Sequence, residues 1–173
     1  MFATGFAEAT GTMGLGKSSR FLYGVQGFFQ SAVGNGGYPD PKKAYTLPGE
    51  KTHGVGLRSG IQWGHHQLTV NYLGISDEGR FLFPREWGRE QLFASMRRER
   101  LEGMGGVNAI TVLYDKTFIH DKLKVSFGAG HMTTPNLEEV QLNKYSLPHH
   151  YHFIGLIDYR FDEFFQGLDL QFL

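Results

Sequence analysis

The chain has 173 residues, a length that one domain with a sizeable core can fill. Its 17 basic and 17 acidic residues cancel, so there is no global pull toward nucleic acid or an anionic membrane surface. Cysteine is absent, which excludes disulfides, thiolate metal sites and thiol chemistry, and 24 glycines with 14% aromatics suit twisted strands better than helices.

Period-2 alternation of apolar and polar residues recurs along almost the whole chain. A weak first strand is expected near Phe2–Thr10. From Phe21, one face carries Phe21, Tyr23, Val25, Phe29 and Val33, and the other carries Leu22, Gln26, Phe28 and Gln30. Next, Val55, Leu57, Ile61 and Trp63 oppose Arg58, Gly60 and Gln62. After a Gly64-His65 turn, Leu68, Val70 and Tyr72 oppose Gln67, Thr69 and Asn71. Ile110, Val112 and Tyr114 oppose Thr111 and Asp115; Leu123, Val125 and Phe127 oppose Lys124, Ser126 and Gly128. Tyr151, Phe153, Ile157 and Tyr159 oppose His152, Asp158 and Arg160, and Leu168, Leu170 and Phe172 oppose Asp169 and Gln171. About eight strands are expected in one domain, 1–173.

Alternation alone fits a soluble sandwich, with its apolar face inward, as well as a membrane barrel, with its apolar face toward lipid. Two features favour lipid. The connections alternate short and long: about Gly11–Ser19, Asn35–Thr52, Gly64-His65, Asp77–Gly106, Lys116–Lys122, Thr133–Pro148 and Asp162–Gln166. That rhythm belongs to an antiparallel up-and-down transmembrane β-barrel. Aromatics also gather beside the short turns (Trp63, Tyr114, Phe118, Tyr159, Phe161, Phe164 and Phe165), as an interfacial girdle requires. The opposite face holds amides and charges, which suit a hydrated lumen. No run reaches the roughly 18 apolar residues of a membrane-spanning helix. Met1–Glu8 lacks the parts of a secretory signal, so a start inside a longer protein is expected.

The longest connection carries six of the nine arginines. It reads Gly79-Arg80-Phe81-Leu82-Phe83-Pro84-Arg85-Glu86-Trp87-Gly88-Arg89-Glu90, followed by Arg98-Glu99-Arg100 and Glu102-Gly103. A connection of such length inside a compact domain is usually functional or disordered, and its aromatics and paired charges argue against disorder. This block resembles the hallmark loop of the OprD family of outer-membrane porins. Tyr23-Gly24-Val25-Gln26-Gly27-Phe28-Phe29-Gln30, Gly34-Asn35-Gly36-Gly37, Asn71-Tyr72 and Leu142-Asn143-Lys144-Tyr145 fit it too. The resemblance implies an eighteen-stranded barrel in a Gram-negative outer membrane, narrowed by inward loops and lined by a ladder of basic residues. It implies passage of small carboxylate-bearing solutes, amino acids included. Two departures stand out. Only about eight strands are present, so an incomplete segment of the larger barrel is expected. Arg97 stands where the family usually has proline before Arg-Glu-Arg.

Guanidinium groups meet carboxylates bidentately, and a constriction between low-dielectric walls focuses their field. Arg85, Arg89, Arg97, Arg98 and Arg100 are therefore the expected solute-binding ladder, extended by Arg58, Lys124 and Arg160 on the inward face. Asp77, Glu78, Glu86, Glu90, Glu99 and Glu102 match the six arginines in number, so a salt-bridge mesh that merely stiffens the loop is the competing reading. A surface helix from Pro84 to Gly103 is a further possibility. His65-His66 and His149-His150-Tyr151-His152 lack companions at ligand spacing and read as turn and loop-end residues; no metal is assigned.

Nucleophile elbow, P-loop and dinucleotide fingerprint are absent, so no catalytic residue is named, and no cofactor is implied. Lys42-Lys43 is too short a basic run for a nucleic-acid partner. The expected partners are membrane lipid and small polar or anionic solutes. The function expected is an outer-membrane channel for passive diffusion. The alternatives are a soluble all-β binding module with an arginine-lined carboxylate or glycan site, and a barrel acting as adhesin or lipid-modifying enzyme.

Overall fold

A computed structural model describes residues 2–34, 46–83, 92–97, 99, 101–118, 122–161 and 167–173. It is built of strands: β1 (Phe2–Gly14), β2 (Ser19–Ala32), β3 (Lys51–Trp63), β4 (His66–Ile75), β5 (Asn108–Phe118), β6 (Leu123–Thr133), β7 (His150–Arg160) and β8 (Asp169–Phe172). They form one sheet in sequence order, and every neighbouring pair is antiparallel. The first seven strands run 10 to 14 residues, enough to cross a hydrocarbon layer, which takes ~9–11 tilted residues. β1 exceeds its expected end by four residues, from Thr10 to Gly14, because its pairing with β2 continues to Gly14 opposite Arg20.

The alternation has the polarity that the lipid reading demands. Phe29, Val70 and Ile157 remain 49%, 47% and 45% exposed, together with Tyr23, Leu57, Val112, Phe127 and Phe153 on the same face. They do not converge in a dry interior. Leu15–Ser18 and Gly64-His65 make two of the short turns, and Gly64 takes φ 52°, a left-handed value that glycine reaches without a Cβ clash. Rings cluster at that rim. Trp63 stacks on His66 at 5.2 Å, His66 Nδ1 meets the Tyr114 hydroxyl at 2.7 Å, and Tyr159 meets Phe161 edge-on at 4.8 Å.

The core lies on the opposite, inner face, toward the long-loop rim. Phe28, Leu73, Ile75, Ala109 and Met132 project from the strands, and Phe81, Leu92, Leu101, Met104 and Val107 of the β4–β5 connection cover them. Phe28 and Phe81 rings sit 4.4 Å apart. No helix forms among the described residues of that connection.

Candidate functional site

Strand register arranges the inner face in transverse rows. One row runs Gly24, Arg58, Asn71, Thr111, Gly130, His152 from β2 to β7. The β4–β5 connection follows this row across the sheet. Phe93 lies against Gly24, where an added Cβ would come within 2.7 Å of its ring. The Arg58 guanidinium faces the same ring at 4.3 Å. Met96 fills the space above Gly128 and Gly130, and Glu99 reaches His150 and His152. A Cβ at Gly24, Gly128 or Gly130 would come closer than 3.0 Å to the end of the Phe93 or Met96 side chain, which would then have to shift.

Amides fasten this path at the β2 end. The Gln26 side chain, 1% exposed, accepts from Phe93 N at 2.8 Å and donates to Glu8 Oε2 at 2.5 Å. Gln30 accepts from Leu82 N at 2.8 Å and donates back to Leu82 O, so it pairs with that peptide as a neighbouring strand would. Thr52 Oγ1 donates to Arg80 O at 3.1 Å. Buried backbone groups need partners, and these side chains supply them where no strand can.

At the other end, Arg97 donates to Gln171 Oε1 of β8 at 2.6 Å, and Gln171 donates to Asp158. Between the segment and the β5–β7 wall lies a cavity of about 200 Å³, lined by Ser95, Arg97, Asp115, Lys124, Asp158 and Leu156 among others. The Ser95 hydroxyl there is buried without a hydrogen-bond partner among the described residues. A second hollow of about 520 Å³ shares Lys124 and Asp158 and extends to Lys122, Arg160 and Asp169 at the short-turn rim. Lys124 Nζ lies 3.4 Å from Asp115, and Arg160 Nε 3.3 Å from Asp169. Both basic groups are well exposed, so their fields reach the adjoining solvent.

Arg58, Lys124 and Arg160 thus occupy the inner face as expected, and Arg97 joins the last two along one polar track. Arg58 stands apart. It is half-buried beneath Phe93, with Nε donated to Asn71 Oδ1 at 2.8 Å, and it holds the segment in place. Arg85, Arg89, Arg98 and Arg100 lie outside the described residues. Among the described carboxylates of the segment, Glu99 meets histidines and Glu78 lies 3.6 Å from His53. Sequence reasoning read Gln26 and Gln30 as lumen amides and missed their part as anchors. It also missed that His150 and His152, two residues apart in a strand, share a face.

No protein-family model and no curated protein sequence matches the chain. Solved structures do. OccK5 (OpdH) of Pseudomonas aeruginosa superposes over 98% of this chain with TM-score 0.74 and 12% identity, and OccK3 (OpdO) of the same organism gives the same three values. A further crystal structure of P. aeruginosa OpdO reaches TM-score 0.76 at 12% identity. The chain spans 43% of the OccK5 chain and 42% of the other two. These are OprD-family porins, the family whose arginine block the sequence resembles. The fold of this chain, eight consecutive antiparallel strands in one sheet, is the fold that it shares with part of each of these structures.

Proposed function

We propose that the chain forms part of the wall of an outer-membrane channel, through which small polar solutes diffuse down their gradient and carboxylate-bearing ones are favoured. One observation carries this reading: the longest connection is hydrogen-bonded across the polar inner face, while the opposite face is a continuous apolar exterior. An acyl-chain environment accommodates that exterior, whereas water would not. It argues against the soluble binding module. The inward segment narrows the passage, and Arg97, Lys124 and Arg160 line what remains open. A water-filled constriction flanked by guanidinium and ammonium groups concentrates anions. Membrane lipid and small anionic solutes are the partners, and the open sheet requires further strands for closure, since unpaired edges are strongly unfavourable in hydrocarbon.

The test is planar-bilayer recording of the full-length channel with Arg97, Lys124 and Arg160 together changed to glutamine. The reversal potential in a salt gradient should move toward cation preference, and uptake of a small carboxylate into vesicles should fall severalfold. Unchanged selectivity and uptake would refute the role of these three groups. Absence of any step conductance in the native protein would overturn the channel itself and favour the adhesin reading.

A further inference from the structure

We propose that the outer face of β5–β7 holds one phospholipid of the periplasm-facing leaflet, with an acyl chain in an apolar hollow and the phosphate at Lys116. The site rests on the membrane setting proposed above and adds a discrete occupant to it.

The hollow measures about 520 Å³, within the ~300–1,000 Å³ range of ligand clefts. Strand register explains it. β6 and β7 set Phe127 opposite Gly155 and Ala129 opposite Phe153, so large and small residues take alternate corners of a square. Tyr114 and Val112 of β5 flank it, opposite Phe127 and Ala129. The two phenylalanine side chains stand 59% and 73% exposed, and the ground between them is low. A Cβ at Gly155 would meet the Phe127 ring at 3.9 Å and nothing else among the described residues, so the chain leaves that space unfilled. An acyl chain laid there gains the dispersion contacts that a bare gap forfeits.

A cation lies one step toward the short-turn rim. Lys116 follows Tyr114 on the same side of β5, and its ammonium leans over the Phe118 ring at 4.4 Å, nearer that rim still. Tyr114 joins hollow to cation: it lines the hollow, and its hydroxyl meets His66 Nδ1, on the residue paired with Lys116. Trp63, stacked on His66, marks the headgroup level. Among the described residues the outward strand positions carry no Asp or Glu, and Lys51, at the opposite rim, is the other lysine there. A charge on an apolar face is costly without a partner. A phosphodiester supplies one through a charge-assisted contact and brings the chain that fills the hollow. A second copy of this chain would bring the same lysines and, among the described residues, no anion.

Native mass spectrometry of the full-length protein in detergent tests the site, with phosphatidylglycerol, diacylglycerol and inorganic phosphate added separately. Phosphatidylglycerol should give one discrete adduct per barrel. Diacylglycerol lacks the phosphate and inorganic phosphate lacks the chains, so each should bind about tenfold more weakly or less. Lys116→Gln and Gly155→Leu should each weaken the phosphatidylglycerol adduct about tenfold, whereas Lys51→Gln should not. Gly155→Leu fills the hollow on the exposed face and leaves the core untouched. No adduct in the native protein, or one that persists equally in both variants, would overturn the site. Equal binding of diacylglycerol or of inorganic phosphate would overturn it too. A dimer that forms without lipid and is lost in Gly155→Leu would overturn it in favour of a second copy. Planar-bilayer conductance is scored on the same preparation. A conducting channel without the adduct refutes the lipid site alone, and an adduct without conductance refutes the channel alone.

Discussion

The two halves of the inner face differ more than the two faces of many sheets. Toward the long-loop rim, Phe28, Leu73, Ile75, Ala109 and Met132 form a dry core with the inward segment. Toward the short-turn rim the same strands present Gln62, Gln67, Asp115, Ser126, Lys124 and Asp158, with charges paired but solvated. The outer face is apolar beside both halves. Residue choice on the inner side therefore follows what lies over each stretch of strand: a folded connection at one end, water at the other. Gln26, Arg58, Asn71 and Thr111 mark the boundary, where polar side chains are buried or, for Arg58, half-buried, but bonded to the segment or to each other.

This contrast can be broken by substitution. The largest effect is expected in the dry half. Phe81, 2% exposed against Phe28, should cost about 3–5 kcal/mol of unfolding free energy on change to alanine. Phe127→Ala, on the outer face and 59% exposed, should cost less than ~1 kcal/mol in detergent. Denaturant unfolding of both variants in the same micelles compares them, and equal losses would erase the distinction. At the boundary, Gln26→Leu strands the Phe93 amide and removes the Glu8 bond, a loss of about 2 kcal/mol. Amide protection at Phe93 should collapse while that of β5 persists. The smallest change belongs to the wet half. Lys124→Gln breaks an exposed pair with Asp115 and should shift stability by no more than ~1 kcal/mol. Its measurable consequence should be in ion preference.

The strands were legible because a sheet with one apolar and one polar side writes a period of two into every strand, as in Val55-Gly56-Leu57-Arg58. The alternation of connection lengths gave the up-and-down order, which the pairing reproduces. The inward course of the β4–β5 connection was less accessible. Its anchors join Gln26 to Phe93 and Arg97 to Gln171, residues 67 and 74 apart, and no local pattern encodes such contacts. Signals existed all the same. Phe28 stands between Gln26 and Gln30 on the polar side of β2, and a covering partner explains a buried ring there. The spacing of His150 and His152 places both on one side of β7, a reading that the adjacent pair His149-His150 obscured.

Phe93 sits over β2 and Met96 over β6. Three residues of backbone reach at most about 11 Å, whereas four strand spacings of ~4.8 Å measure about 19 Å along a sheet. The backbone between them is folded further by a turn in which Ser95 N donates to Leu92 O at 2.9 Å. The ring edge of Phe93 and the thioether end of Met96 make up the difference. The segment therefore grips the sheet with two outstretched side chains, and clipping either one would release that hand while leaving every strand in its place.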